Sequence, residues 1–245
     1  MQWTDEGIVL SVRPHGETAA IAELLTREHG RHLGLVHGGR SRRLRPVLQP
    51  GNAVRAVWRA RLPENLGVMT VEAETSYAAA AMSDRLALLG LSSACYLARL
   101  LPERDPHPEV YDSLREIMAA LLEPDVWPAL LVRWELALIG ELGFGLDLSR
   151  CAASGARANL RYVSPKSGRA VSAEAGAPYQ DKLLPLPPFL AGEDGPPTRA
   201  DICDGLRLTG YFLEKWVLAP AEMHLPDARV RLLRQMEKAA SPANE

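Results

Sequence analysis

Short runs of β-forming residues occupy the first part of the chain, and one of them, 53–61, alternates between apolar and polar residues as a half-buried strand does. Turn residues such as Pro14-His15-Gly16 and Gly38-Gly39 separate the runs. The predicted strands lie at 7–12, 18–25, 32–36, 53–61 and 67–73. Five short strands within about 75 residues predict a small β-barrel of the OB type, a class whose curved face commonly binds nucleic acids or oligosaccharides. We assign residues 1–79 to this domain.

From residue 82 onward the apolar residues recur every three or four positions, which predicts α-helices over most of the remaining chain. Ser83 is the predicted N-cap of the first helix, and Pro102 marks its end. Thr198 and Asp201 have the spacing of a capping box and predict the start of a later helix. Further helices are predicted at 110–121, 127–142 and 227–238. The chain is therefore expected to be an α+β multidomain protein whose helical domain covers 80–245.

Residues 149–188 differ from the helices around them, because they are rich in Gly, Ser, Pro and Ala. Two knuckle-like turns are predicted there, one beginning at Cys151 and one at Ser164. A short strand over 159–163 is expected to join them. The segment should therefore form a small insert within the helical domain.

The formal net charge of −2 hides a strong asymmetry along the chain. Residues 27–61 hold nine arginines and one acid, Glu28, a charge of +8, so the other residues sum to −10. The nine are Arg27, Arg31, Arg40, Arg42, Arg43, Arg45, Arg55, Arg59 and Arg61. Clustered guanidinium groups favour a polyanionic partner such as a nucleic acid. The alternative interpretation is a solvated basic loop without a ligand.

The predicted strand 53–61 has a basic outer face, with Arg55, Arg59 and Arg61 pointing away from the side that carries Trp58. The loop 40–45 adds four arginines beside it. Because the barrel has few aromatic residues and Trp58 is predicted to face inward, contacts with the phosphate backbone are expected to outweigh base stacking. If six arginines meet a single strand, the logarithm of affinity should fall with the logarithm of salt with a slope of about −4.

No motif predicts covalent chemistry. The chain lacks a phosphate-binding loop ending in Gly-Lys-Ser or Gly-Lys-Thr, and a partial match to a nucleophile elbow at 90–94 falls within a predicted helix. His29, His32 and His37 are close in sequence without an acid cluster, so surface or phosphate-contacting roles are expected for them rather than a metal site. We therefore expect neither an enzyme nor a bound metal or cofactor.

The cellular location is also suggested by the sequence. No apolar run reaches about 18 residues, and the first residues include acids where a signal peptide needs positive charge. The three cysteines are odd in number and widely spaced, which disfavours a secreted disulfide framework. A cytoplasmic protein without a membrane partner is expected.

Several short motifs follow one another in a specific order along the chain. They are Glu6-Gly7-Ile8-Val9-Leu10, Gly16-Glu17-Thr18, the run 24–30, Gly38-Gly39-Arg40-Ser41, and the knuckle region from Cys151 through Tyr162-Val163-Ser164-Pro165 to Gly168. In this order and spacing they resemble the RecO family of bacterial DNA repair and recombination mediators, over nearly the full length. The resemblance implies an N-terminal OB fold, a central helical domain and a small zinc-finger-like insert.

The same resemblance implies binding of single- and double-stranded DNA and annealing of complementary strands. It further implies association with RecR and with single-stranded DNA-binding protein, and help in loading the recombinase RecA. The helical domain is the implied receptor for the acidic tail of single-stranded DNA-binding protein, and Arg99, Arg115 and Arg133 are among its basic residues. The implied location is the bacterial cytoplasm, at the nucleoid.

The chain departs from the family pattern in the insert. Zinc-bearing members carry two Cys-x-x-Cys-like pairs, a spacing that suits a closed tetrahedral site. Here Cys151 stands with Ser154, Ser172 and Ala175 at the corresponding positions. Because one thiolate cannot hold a structural zinc ion, the insert is expected to be a degenerate, metal-free finger.

Two other classes of function compete with a DNA-binding mediator. A nuclease would need clustered acids for metal ions beside the basic face, and 27–61 offers only Glu28. A protein-interaction scaffold would use the barrel to bind a protein partner and keep the arginines as a solvated rim. Magnesium-dependent DNA cleavage would reveal the first, and a lack of salt-sensitive DNA affinity would favour the second.

Overall fold

The structure, a computed structural model, describes residues 1–240. The chain divides into two compact units, Met1–Trp127 and Pro128–Glu245. Within the described residues, no helix combines the length and the apolar character that crossing a bilayer requires. The first unit contains the barrel and three helices, and the second contains the remaining helices and a small sheet.

Five strands form the barrel, and each lies at a position where the sequence predicts one. They are β1 (Gln2–His15), β2 (Ala19–Thr26), β3 (Gly30–Val36), β4 (Ala53–Arg59) and β5 (Val68–Thr75). The strand order is β1-β2-β3-β5-β4, and β4 pairs with β1. All neighbours are antiparallel except β3 and β5, which meet at one parallel pair, Leu35 and Val68. There the Leu35 N–H donates to the Gly67 carbonyl at 3.0 Å.

Apolar side chains from every strand fill the barrel. Trp58 is 2% exposed and Met69 is 1% exposed, and both lie in the central cluster. Two glycines let the backbone approach these large side chains. A Cβ on Gly34 would lie 2.6 Å from the Met69 Cβ, and Gly67 has a φ of +68° with the Trp58 ring 2.5 Å from where its Cβ would be.

Three helices complete the first unit: α1 (Tyr77–Ala81), α2 (Arg85–Ala98) and α3 (Pro108–Ala119). The predicted cap of α2 is wrong by one residue. The Asp84 carboxylate accepts hydrogen bonds from the Leu86 and Ala87 N–H groups, whereas the Ser83 hydroxyl donates to the Ala80 carbonyl. The helix also ends at Ala98, a few residues before the predicted stop.

The second unit is mainly helical, with α4 (Trp127–Ile139), α5 (Ala173–Gly176), α6 (Arg199–Phe212) and α7 (Asp227–Ala240). The capping box predicted at Thr198 and Asp201 is present. Wider π-helical turns follow α4 and α6 at Gly140–Phe144 and Leu213–Leu218, and 3-10 turns lie at Ala177–Lys182, Pro188–Leu190 and Ala219–Ala221. The kink after α4 falls at Gly143, where φ is +89° and the sequence predicts the helix to stop.

The predicted insert contains a three-stranded sheet of β6 (Leu160–Val163), β7 (Ala170–Ser172) and β8 (Leu184–Pro185), in the order β7-β6-β8. Tight turns on either side of β6 are closed by backbone hydrogen bonds from Gly155 to Cys151 and from Gly168 to Ser164, both at 2.9 Å. The short strand and the two predicted turns are therefore observed.

By internal contacts, the three helices α1 to α3 belong with the barrel, in the unit Met1–Trp127. The change of periodicity after residue 79 marks where strands give way to helices. A domain boundary between residues 79 and 80 stays a prediction.

Candidate nucleic-acid interface

The nine arginines of 27–61 fall into three sets with different surroundings. We call Arg27, Arg31 and Arg55 the paired arginines, because each lies among carboxylates. The loop arginines are Arg40, Arg42, Arg43 and Arg45, and the strand-end arginines are Arg59 and Arg61. The sets differ in what their guanidinium groups are free to bind.

Arg27 is held by Asp112 on α3. Its Nε and Nη2 donate to the two carboxylate oxygens at 2.9 Å each, and its Nη1 donates to Glu28 at 2.6 Å. The hydrogen bonds from Arg27 keep the pKa of Asp112 below its usual value. This fork-to-fork geometry is the one that a phosphate would otherwise use. Arg27 is therefore already occupied by acids of its own chain.

Arg31 belongs to a partly buried cluster centred on Glu23. Its Nη1 donates to Glu23 at 2.5 Å and its Nε to the Leu101 carbonyl at 2.7 Å, and its side chain is 17% exposed. Ser11 and Arg99 also donate to Glu23, each at 2.7 Å. Burial alone would raise the pKa of Glu23, but these donors and the Arg99 charge outweigh it and lower the pKa. Arg31 therefore joins barrel to helix.

Arg55 points outward from β4, as the alternation predicts, but acids flank it. Its register partners are Glu6 on β1 and Glu72 on β5. Arg115 on α3 donates to Glu6 and to Glu74 on the same side of the barrel. The charge of Arg55 is therefore balanced by neighbouring strands, as opposite charges across a sheet commonly are.

The loop arginines project from a loop that apolar residues anchor. Leu44 and Val47 pack on the barrel core, and Leu48 is 3% exposed. The Arg45 N–H donates to the Ser41 carbonyl at 2.9 Å, which fixes the turn between the charges. Arg40 donates to the carbonyls of residues 16 and 17 at 2.9 and 2.8 Å. Its position is thereby set without loss of its charge.

The guanidinium groups of Arg42, Arg43 and Arg45 are exposed and make no hydrogen bond or ion pair within residues 1–240. The strand-end arginines are also exposed, and they make no hydrogen bond or ion pair in the described part of the chain. In register, Arg59 lies opposite Gln2 and Val68, so no acid faces it across the sheet. Among the nine arginines, these five have neither an ion pair nor an acid opposite them in register in the described residues, so a polyanion can reach them directly.

Arg43 and the strand-end arginines border one stretch of surface along the contact between β3 and β5, which we call the seam. Arg43 lines a groove of about 330 Å³ that includes Val68, and Arg59 and Arg61 line a shallow recess that also includes Val68. Arg40 and Arg45 line a separate recess with Val12 and Ala20.

An aromatic cluster at one end of the barrel was not found by sequence reasoning. Trp3 and Trp58 are register partners on β1 and β4, with ring centroids 5.7 Å apart. The His29 ring stacks on Trp3 at 4.4 Å, and the His32 ring meets the Trp58 ring edge-on at 4.7 Å. Because Trp3 is far from the others in sequence, only strand register could have placed it here.

The expectation of surface or phosphate-contacting histidines is wrong for His32. That side chain is 5% exposed, and burial, followed by the positive charge of Arg104, lowers its pKa to about 4. His29 shares a hydrogen bond of 2.9 Å with Asp5. Among the described residues, no group of three or more His, Cys, Asp or Glu side chains is placed to hold a metal ion.

In the insert, two backbone N–H groups surround the buried Cys151 side chain. The Cys151 sulfur accepts hydrogen bonds from the Ser154 and Ser172 N–H groups at 3.5 and 3.3 Å. Burial opposes ionisation of the thiol, but the donors at Ser154 and Ser172 lower its pKa to about 6. The Ser172 hydroxyl caps α5 by accepting from the Ala175 N–H. One thiol, two serines and an alanine do not supply the donors of a structural zinc site.

Comparison with known proteins agrees with this architecture. The family model described as "Recombination protein O N terminal" matches residues 1–77, and "Recombination protein O C terminal" matches residues 82–225. A protein named DNA repair protein RecO from Methylobacterium nodulans is 58% identical over 234 residues, 94% of this chain and 95% of that protein.

Two further relatives carry the same name. The one from Rhodospirillum centenum is 52% identical over 242 residues, 98% of this chain and 96% of its own length. The one from Rhizobium etli is 52% identical over 246 residues, 100% of this chain and 96% of its own length. Both family models and these full-length relatives lead to one conclusion: the chain belongs to the RecO family, whose members serve in DNA repair and recombination.

Proposed function

We propose that this protein binds single- and double-stranded DNA through the loop and strand-end arginines and anneals complementary strands. The observation that carries the proposal is the separation of the nine arginines into sets. Arg27 and Arg31 form ion pairs with carboxylates, and Arg55 lies between Glu6 and Glu72 in register, whereas Arg42, Arg43, Arg45, Arg59 and Arg61 have neither feature among the described residues. With Arg40, which keeps its charge, six arginines are available to phosphates.

The mechanism requires no covalent step. Two DNA strands repel each other through their phosphates, and a surface that neutralises both backbones lowers this barrier. Guanidinium groups suit this role because their forked donors match phosphate oxygens. Contacts limited to phosphates leave the base edges free to pair, which annealing needs.

The proposed cellular role is that of a recombination mediator. In this role the protein acts with RecR and with single-stranded DNA-binding protein, and helps RecA to assemble on DNA. The family relationship supports this part of the proposal, together with the free arginines that such a role needs. A protein-interaction scaffold, with the arginines as a solvated rim, is the alternative that the following experiment separates.

The test is a fluorescence anisotropy titration of a labelled single strand over a series of salt concentrations. We expect a slope of about −4 for the intact protein, from six phosphate contacts at about −0.7 each on a single strand. The variant with Arg42, Arg43 and Arg45 each changed to Ala should have a slope nearer −2 and weaker binding at low salt. A gel assay of complementary strands should show slower annealing with the same variant.

A matched control removes the same amount of charge elsewhere. Arg157, Arg231 and Arg234 are exposed arginines of the second unit, and changing them to Ala should leave the slope unchanged. Equal weakening by both triple variants would show that binding follows net charge alone. A flat salt response in the intact protein would reject DNA binding at the seam and favour the scaffold.

A further inference from the structure

The aromatic cluster borders a cavity on the barrel that phosphate binding does not explain. The cavity measures about 380 Å³, within the range of small-ligand sites. Trp3, His29, His32 and Trp58 line one part of it, and Arg104 lines another. It is therefore a recess with aromatic walls and a cation at its edge.

The rings of the cluster are arranged as a stack. The planes of His29 and Trp3 are inclined by 15°, and those of Trp3 and Trp58 by 14°. His32 stands edge-on to both indoles. Trp58 is 2% exposed and Trp3 stacks on two other rings, so the ring open to an occupant is that of His29, whose side chain is 35% exposed. An open aromatic ring can stack on a nucleobase, because every base presents a π-face.

His32 closes the inner side of the cavity. Its side chain is 5% exposed and its ring nitrogens have almost no accessible surface, so it offers an occupant ring surface rather than a hydrogen-bonding group.

The edge of the cavity is fixed by Arg104. This residue has a φ of +64°, which is uncommon for a side chain other than glycine and tends to occur at functional sites. Its Nη2 donates to the carbonyls of Glu64 and Asn65 at 3.1 Å, which ties the loop between β4 and β5 to the cavity. The same loop carries Arg61, and Gln2, which lines the cavity, is the register partner of Arg59.

We propose that this cavity takes one unpaired nucleobase of a DNA strand whose phosphates lie on the strand-end arginines. The inference rests on the proposed DNA binding and adds to it a contact that recognises a base. A paired base would have to leave its duplex first, which costs several kcal/mol. The cavity therefore gives the protein a preference for single strands that the arginines alone do not provide.

The test uses the intact protein and two strands of eight nucleotides with equal charge. One strand is abasic throughout, and the other carries a single thymidine at its centre. Stacking of one base predicts about tenfold tighter binding of the strand with thymidine, measured by anisotropy at fixed salt. Equal affinities with normal salt dependence would overturn the base site and leave the proposed DNA binding intact. Failure of both strands, and of an eight-nucleotide oligothymidylate, to bind would overturn both.

Variants locate the effect. His29→Ala removes a ring of the cluster whose side chain is 35% exposed, so the barrel core stays intact. It should reduce the gain from thymidine to threefold or less and leave binding of the abasic strand unchanged. His15→Ala changes an exposed histidine at the other end of β1 and should keep the full gain. A full gain in His29→Ala would contradict the site, as would a loss of the gain in His15→Ala.

Discussion

Arg229 on α7 illustrates how much can depend on a single residue. Its Nε and Nη2 donate to the two oxygens of Glu135 at 2.5 and 2.9 Å, and Nη2 also donates to the Leu206 carbonyl at 2.7 Å. The side chains of Arg229 and Glu135 are 1% and 0% exposed. Burial of the pair is costly, and removal of one partner leaves the other charged and unpaired. The ion pair therefore fixes α7 against α4 and α6.

We expect Arg229→Met to lower the free energy of unfolding by about 3–5 kcal/mol, because Glu135 is left as an uncompensated buried charge. Urea unfolding followed by circular dichroism measures the change. The control is Arg231→Met on the same helix, whose 63% exposed side chain pairs with Asp227 at the surface. It should cost less than about 0.5 kcal/mol. Similar losses in the two variants would contradict the argument.

A second variant tests the cause. Arg229→Met combined with Glu135→Leu removes both charges and leaves apolar side chains in their place. Since apolar replacements of buried pairs are often neutral or stabilising, the double variant should recover most of the lost stability. A double variant as unstable as the single one would point to packing rather than charge.

At the scale of elements, the start of α2 tests the assignment of its cap. Asp84→Ala removes the acceptor of the Leu86 and Ala87 N–H groups and should cost about 1 kcal/mol of stability. Ser83→Ala, one residue earlier, should cost less than about 0.5 kcal/mol, because the Ser83 hydroxyl bonds only the Ala80 carbonyl. Urea unfolding of both variants measures the two losses of stability. A larger loss for Ser83→Ala than for Asp84→Ala would identify Ser83 as the cap.

Local patterns predicted the elements better than their limits. All five barrel strands could be predicted, because each is a short β-rich run bounded by turn residues. Only some of them alternate around one buried face, whereas β2 is buried over almost its whole length. β1 is longer than predicted because it pairs with β4 over its first half and with β2 over its second. The cap of α2 could not be settled locally, since Ser83 and Asp84 are both good cap residues and only the backbone conformation selects one.

The candidate site could also be predicted only in part. The sequence shows that Arg55 and Arg59 face outward, because strand geometry alone decides this. The predicted strand 53–61 is too long, since β4 ends at Arg59 and Arg61 lies in the loop that follows. It does not show which arginines are balanced by acids, because Arg27 meets Asp112 from 85 residues away. The aromatic cluster also depends on register, which sets Trp3 opposite Trp58. The arginines can be counted from the sequence, but the fold is needed to know which of them are paired with acids.

At the scale of the molecule, the basic segment forms two contrasting surfaces on the first unit. Arg55 and Arg27 line a recess together with the acids Asp5, Glu6, Glu28, Glu72 and Glu74. The seam carries arginines without such acids. A polyanion is repelled from the first surface and attracted to the second, so under the proposed function the charge distribution would select the orientation in which DNA approaches.

Stability should also depend on pH through a buried group. His32 has a pKa of about 4 in the folded protein, against an ordinary 6.5. Between these values the unfolded chain binds a proton that the folded protein does not, so stability rises with pH over this range. We expect the free energy of unfolding to increase by about 1–3 kcal/mol more in the intact protein than in His32→Phe between pH 4 and 6.5.

Urea unfolding at several pH values measures this difference. Glu23, whose pKa is lowered, adds stability above about pH 4.5 that is lost at more acidic values in both proteins. Its contribution therefore cancels in the comparison. His37→Ala, a change of an exposed histidine, should follow the intact protein. Parallel curves for the intact protein and His32→Phe would show that folding does not lower the pKa of His32.

The closure of the barrel has a consequence for motion. β1 and β2 pair from Gly7 to His15, whereas β3 and β5 pair only at Leu35 and Val68. A ring of strands opens first where its pairing is shortest, so the seam is the place for local unfolding and fast amide exchange. Arg43 and the strand-end arginines line the recesses that share Val68 at that place. A strand of DNA that spans them would hold the barrel shut, and the least stable contact of the domain would become protected when ligand is bound.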